Sequence, residues 1–466
     1  MNFARPTLVA AACIIMSGCV NLAPKYNQPA APIANTWPTE QVGSSTTTPA
    51  YELGWKEFYG DTKLHQLIEL ALNNNRSMQQ SALAVELARA QFKIAKADIL
   101  PNIDANSNAT ILRSNNDTSR NYSASLGISA FELDVFGRLG NLRDQALENY
   151  LSNEETLRSL HITLVAEVAS AYFTLAASQQ NLRLAERTLE SQQQSLDLIQ
   201  KTFEIGTASG LDVATAQTSV DTARADMAIA RTQIAQNINA LTLLVGQTID
   251  PALTTFSDAS VSDSLAPLIR SVGPVAQAPS ELLLRRPDVL AAERSLKAAN
   301  ANIGAARAAR FPSINLTTNA GTSSTQLSDL FNSSAGFWNF IPSVSLPIFD
   351  SGARKANVRI SKIQRDIAVA EYERSIQTAF QEVSDALSEQ SNIQELISAR
   401  KSLLEANEKV YRLTYASFQS GIESSLLVLT AQRSHNIAEQ EMISARLTEA
   451  LNWVTLYRVL GGGWKS

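Results

Sequence analysis

The sequence predicts a mainly α-helical chain that also carries transmembrane β-strands and is internally duplicated. Three observations predict it. Two long segments are depleted in proline and glycine, the chain repeats itself at a near-constant offset, and four short segments alternate apolar and polar residues.

The helices come first. After Pro101 the next proline is Pro251, and after Pro347 there is none to Ser466. Residues 141–245 hold only Gly206 and Gly210, and residues 353–460 hold only Gly421. Proline costs ~3 kcal/mol and glycine ~1 kcal/mol inside a helix, so such depletion in Ala-, Leu-, Gln-, Glu- and Arg-rich segments means long helices. Apolar residues recur at heptad-like steps, as in Leu189, Leu196, Ile199 and Phe203, or Ile234, Ile238, Leu241 and Val245. Ile360, Ile363, Ile367 and Ala370 repeat the step, as do Phe380, Val383 and Leu387. This spacing is expected where helices supercoil on one another.

The duplication has a fixed measure. Glu167-Val168, Phe203-x-x-Gly206, Ala216-Gln217 and Gly246 recur 215 residues later as Glu382-Val383, Phe418-x-x-Gly421, Ala431-Gln432 and Gly461. Leu100-Pro101-Asn102-Ile103 matches Phe311-Pro312-Ser313-Ile314 at an offset of 211. Such self-similarity means two copies of one unit: strand pair, long helix, glycine break, shorter helix.

The strands follow from alternation with period two. Ile103, Ala105, Ala109 and Ile111 oppose Asn102, Asp104, Asn106 and Asn108. Tyr122, Ala124, Leu126, Ile128 and Ala130 oppose Ser123, Ser125 and Ser129. Ile314 and Leu316 oppose Asn315 and Asn319, and Trp338, Phe340, Val344 and Leu346 oppose Asn339, Ser343 and Ser345. Faces of Asn, Ser and Thr suit the wet lumen of a transmembrane barrel, with Tyr122, Phe337, Trp338 and Phe340 as candidates for an aromatic girdle. The same alternation also fits a soluble sandwich with one wet face. Four strands cannot close a barrel, and an open edge cannot exist in lipid, so a membrane-spanning sheet requires several protomers.

The N-terminus has one positive charge at Arg5, an apolar run from Leu8 to Met16 and small residues before Cys19, the pattern of a secretory signal. Met16-Ser17-Gly18-Cys19 resembles a bacterial lipobox, in which the cysteine is acylated, and Val20 in place of Asp fits sorting to the outer membrane. Removing residues 1–18 leaves 38 basic and 44 acidic side chains, a balance of −6, which argues against a nucleic-acid partner. Cys13 and Cys19 are the two cysteines, so the mature chain has neither a disulfide scaffold nor a cysteine metal site. No long apolar stretch is expected after the signal. Five prolines between Pro24 and Pro49 forbid a continuous helix there and leave a tether or an extended arm, with Trp37 and Tyr51 as docking points.

The expected division is a signal peptide at 1–18, a lipid anchor and arm at 19–50, a first repeat at 51–246, a linker at 247–280 and a second repeat at 281–466. Within the repeats the strands are expected near 101–113, 121–134, 312–325 and 335–348, and the helices near 138–205, 208–246, 351–418 and 422–461.

Gly54-Trp55-Lys56-Glu57-Phe58, Phe131-Glu132-Leu133-Asp134-Val135-Phe136-Gly137-Arg138, Arg285-Arg286-Pro287-Asp288-Val289, Ala301–Arg307 and Leu346–Gly352 stand in an order and spacing that carry a family resemblance. The chain resembles the TolC-like outer-membrane factors of tripartite efflux pumps, especially their lipoprotein branch. The resemblance implies a homotrimer with a shared twelve-stranded outer-membrane β-barrel above a periplasmic α-barrel, with a mixed equatorial domain. It implies a periplasmic adaptor and an RND-type inner-membrane transporter as partners, and no cofactor beyond the covalent lipid on Cys19. It places an iris-like gate at the periplasmic helix tips, Phe203–Thr215 and Phe418–Thr430, around Gly206 and Gly421. Asp212 of the gate is retained. The usual gate tyrosine is Phe418, and the usual acidic ring falls on Leu427 and Thr430, so Leu426 or Leu427 is the expected apolar constriction. Asp212 also suits a helix N-cap.

Catalytic patterns are missing. His65, His161 and His435 are isolated from one another in sequence, Gly206–Gly210 is no nucleophile elbow, and Gly461-Gly462-Gly463 reads as a helix C-cap. The alternative is a structural coiled-coil lipoprotein or pump adaptor, which would leave the four strands unexplained.

Overall fold

The computed structural model describes residues 20–37, 50–114, 117–256, 281 and 283–464. The signal peptide, Cys19, residues 38–49 of the arm and residues 257–280 of the linker lie outside them.

Three short helices open the described body: α1 (Trp55–Phe58), α2 (Thr62–Asn74) and α3 (Arg76–Ala97). Strands β1 (Ile103–Ser114) and β2 (Asp117–Leu133) lead into α4 (Arg138–Glu204) and α5 (Gly210–Val245). The second copy has α6 (Pro287–Ala308), β3 (Ser313–Ser324), β4 (Gly336–Ser345), α7 (Ala353–Gln419) and α8 (Ser425–Val459). The long helices α4 and α7 each have 67 residues, about 100 Å at ~1.5 Å per residue.

Contacts divide the chain into two compact units, and neither is a sequence repeat. One comprises Met1–Ala31, Leu83–Glu155 and Leu290–Ser375; the other comprises Pro32–Ala82, Thr156–Val289 and Ile376–Ser466. Each unit takes segments from both copies.

The first unit holds the sheet, an antiparallel meander in the order β1-β2-β3-β4. Its register brings the apolar positions onto one face: Ile103 opposite Ile128, Ala105 opposite Leu126, Leu126 opposite Ala320, and Ala320 opposite Trp338. The other face carries Asn106 opposite Ser125, Gly127 opposite Asn319, and Asn319 opposite Asn339. Gly127 is required there, because a Cβ would stand 1.9 Å from Asn319 Oδ1 and 2.3 Å from the Thr318 carbonyl.

Two expectations for the strands need correction. Phe337 pairs with Gly321 on the polar face, so it does not join Trp338 and Phe340 in a girdle. Ala130 does not continue the apolar face either. A bulge between Ile128 and Phe131 puts Ala130 at φ 52°, where its N–H donates to Thr317 Oγ1 at 3.1 Å. One extra residue flips the phase, and Phe131 and Leu133 then face Leu316 and Ile314.

The N-terminal arm is pinned along this unit. The Val20 N–H donates to Val135 O at 3.2 Å, just past the end of β2. Asn141 Nδ2 donates to Asn21 Oδ1, Arg307 to Leu22 O, Asn300 to Pro24 O, and Tyr26 to Glu293 at 3.1 Å. Residues 20–28 are therefore an extended arm. Burial and the Glu293 carboxylate raise the Tyr26 pKa, keeping it a neutral donor.

The second unit is helical. Trp55, Phe58, Tyr59, Tyr172, Phe173 and Tyr457 are almost completely buried in it, with Phe58 stacked on Tyr457 at 3.9 Å. Trp37 stacks on Phe380 at 5.2 Å and Arg285 lies over Tyr51, so both expected docking points are used. Arg286 is buried and holds Asp288 and Glu382 at 2.7 Å each and the Val459 carbonyl at 3.2 Å. The last helix closes on Gly461, whose φ of 81° lets the Gly462 N–H return to Tyr457 O at 2.9 Å. Contrary to expectation, α4 contains a stretch long and apolar enough to cross a membrane, but 61% of that stretch is buried. Glu167 within it is exposed, and its mostly buried apolar side chains make it a core helix.

The heptad stripes divide into two kinds. Leu196, Ile199, Leu241, Val245 and Val383 are buried. Ile360, Ile363 and Ile367 stay about half exposed, as do Val410 and Leu413.

Candidate functional site: the hairpin tips

The two glycine breaks make matching turns. At the end of α4, Gly206 takes φ 79° and donates to Phe203 O at 2.9 Å, and at the end of α7, Gly421 takes φ 73° and donates to Phe418 O at 2.9 Å. No other group approaches the site of a Cβ on either, so backbone conformation alone selects glycine.

Serine then starts each returning helix. Ser209 caps α5 and forms a capping box with Asp212: the Asp212 N–H donates to Ser209 Oγ at 3.2 Å, and the Ser209 N–H donates to Asp212 Oδ2 at 2.9 Å. Ser424 caps α8 by accepting from the Leu427 N–H at 3.4 Å. The second cap is half a box, because Leu427 stands where the first copy has Asp212.

Asp212 does more than cap. Ser425 Oγ donates to Asp212 Oδ1 at 3.3 Å, which links the start of α5 to the start of α8. The Ser209 backbone N–H, the Ser209 hydroxyl and then Ser425 hold the Asp212 carboxyl below the usual carboxylate range. Above the tips, Gln192 of α4 donates to Gln432 of α8 at 3.0 Å, and Gln432 donates to Ser191 at 2.7 Å. Arg187 reaches Glu439 at 2.5 Å.

Of the expected gate residues, Gly206 and Gly421 occupy the turns and Asp212 joins the two hairpins. Phe418 is half-buried. Phe203, Leu426, Leu427 and Thr430 are exposed, and the Thr430 hydroxyl donates back to Leu426 O. Sequence reasoning missed Ser209 and Ser425. The Ser-x-x-Asp spacing of a capping box was available for Ser209, whereas nothing local marks Ser425.

The family model described as outer membrane efflux protein matches residues 67–247 and 278–462. The chain belongs to this family. It is 44% identical over 467 residues to the toluene efflux pump outer membrane protein TtgC of Pseudomonas putida, covering 98% of this chain and 95% of that one. It is 38% identical over 463 residues to the outer membrane protein OprJ of Pseudomonas aeruginosa, covering 96% and 94%. Among solved structures, the open state of the Neisseria gonorrhoeae MtrE outer membrane channel matches with a TM-score of 0.86 at 35% identity, over 96% of this chain and 99% of that chain. As an outer membrane efflux protein, this chain contributes β1–β4 to a β-barrel and its long helices to an α-barrel, and it serves as the outer-membrane exit duct.

Proposed function

We propose that this efflux protein acts as a homotrimer that conducts cargo passively, without catalysis, through a twelve-stranded barrel. The sheet carries this reading: one face is apolar, the other is amide-rich, and β1 and β4 leave two open edges. Such edges are not tolerated in lipid, and association of identical sheets removes them. The half-exposed stripe Ile360, Ile363 and Ile367 supports the same association.

The tips form an iris, with Asp212 and Ser425 as a tether and Leu426 or Leu427 as an apolar constriction. Below it the duct engages a periplasmic adaptor and an RND-type inner-membrane transporter, the partners expected of a tripartite pump. Cys19 carries the lipid. Its neighbour Val20 is held at the end of β2, which supports an anchor entering the membrane beside the barrel. The name of the TtgC relative makes small aromatic solvents the first cargo class to test.

Planar-bilayer recording tests the duct. Purified protein should open pores, and Asp212→Ala should raise their open probability. Correctly folded protein that yields no pores with either chain would refute the reading.

A further inference from the structure

The two hairpins differ in how they fill the same layer. In the first, Leu196, Ile199, Ala216 and Val220 pack together as a buried cluster. The residues 215 positions further on are Tyr411, Thr414, Ala431 and His435. Instead of an aliphatic cluster, the rings of Tyr411 and His435 lie 6.0 Å apart at 26°.

Beside these rings opens a cavity of about 520 Å³. Its apolar walls are Leu198 and Ile199 of α4, Tyr415 and Phe418 of α7, and Val428 and Leu429 of α8. Cavities of roughly 300–1,000 Å³ are the size that takes small molecules. Glu408 and Arg412 each contribute one charge of opposite sign, so the lining has no net charge apart from His435. Glu408 and His435 also line a second cavity of about 850 Å³, walled by charged groups such as Arg187 and Glu439. Ser191, Gln194, Ser195 and Ser425 add uncharged polar groups to the lining of the first cavity, and Glu408 and His435 are common to both.

We propose that the apolar cavity is a binding site for a small uncharged aromatic molecule bearing one hydrogen-bond donor. The ring stacks among Tyr411, Tyr415 and Phe418, where aromatic faces favour offset contact. The donor turns to the Glu408 carboxylate, which has no ion-pair partner among the described residues. A charged ligand is disfavoured, because the apolar walls desolvate it while Glu408 and Arg412 together offer no compensating net charge. The walls come from three helices that meet at the tips, so an occupant props α4 against α7 and α8. On the duct reading above, that biases the iris; binding itself does not depend on that reading.

The test is calorimetric titration of the purified full-length protein with 2-naphthol. One saturable site per chain is expected. Ser195→Trp fills the cavity from α4 and should weaken binding at least about tenfold, and Val428→Phe, a smaller filling, should do the same if the first variant folds poorly. The 2-naphthalenesulfonate anion should bind more weakly than 2-naphthol. Unchanged 2-naphthol binding in both folded variants, or tighter binding of the anion, overturns the site. Bilayer currents from the same preparations separate the two readings: lost binding with intact pores supports the site, and binding without pores counts against the duct alone.

Discussion

Asp212 shows how one side chain serves two structures. Its carboxylate completes the cap of α5 and accepts from Ser425 at the start of α8. The hydrogen bonds from Ser209 and Ser425 favour the charged form and lower its pKa. A lowered folded-state pKa means that the stabilisation is present above the unfolded value, ~3.9, and is lost as pH falls through the folded one. The tip tether should therefore be constant from about pH 8 to pH 5. Amide hydrogen exchange at residues 209–213 should show equal protection across that range once corrected for intrinsic rates, and weaker protection in Asp212→Asn. A loss of protection between pH 8 and pH 5 would contradict the assignment.

At the scale of elements, the duplicated hairpins diverge where function has room to vary. Both tips keep the left-handed glycine and the serine cap, since these terminate and restart a helix. Only the first keeps the acidic third residue. Leu427→Asp rebuilds the box in the second hairpin and places a negative charge at the N-terminus of α8. This should stabilise the helix start by about 0.5–1 kcal/mol and be visible as a small rise in thermal midpoint. In the proposed homotrimer the added carboxylates would also create a ring, so trivalent cations on the periplasmic side should block the current. Unchanged current would remove the ring from the argument.

At the scale of the whole molecule, exposed apolar stripes support the proposed association of chains. Leu403 and Val410 repeat at a heptad step on α7 and are 42% and 52% exposed. Helices with such a seam pair with one another. If the protein is the proposed homotrimer, the double substitution Leu403→Asp and Val410→Asp should shift the detergent-solubilised protein from trimer toward monomer, measured by light scattering after size exclusion. A trimer that persists unaltered would assign the seam to another partner.

The sequence by itself determined the long helices, the four strands and the duplication. Each rests on local rules: proline and glycine exclusion, period-two alternation and a fixed offset. It also determined the tip glycines and Asp212, because caps and left-handed turns are local. Tertiary structure decided what depends on register and on distant partners. The bulge at Ala130 follows from pairing with β3, which lies some 190 residues away in the chain. The Ser425 tether, the Gln192–Gln432 bridge and the mixing of both repeats in each compact unit have no local signature. A periodic pattern reports which face of a helix or strand is apolar, but which segment covers that face is settled only when the chain packs.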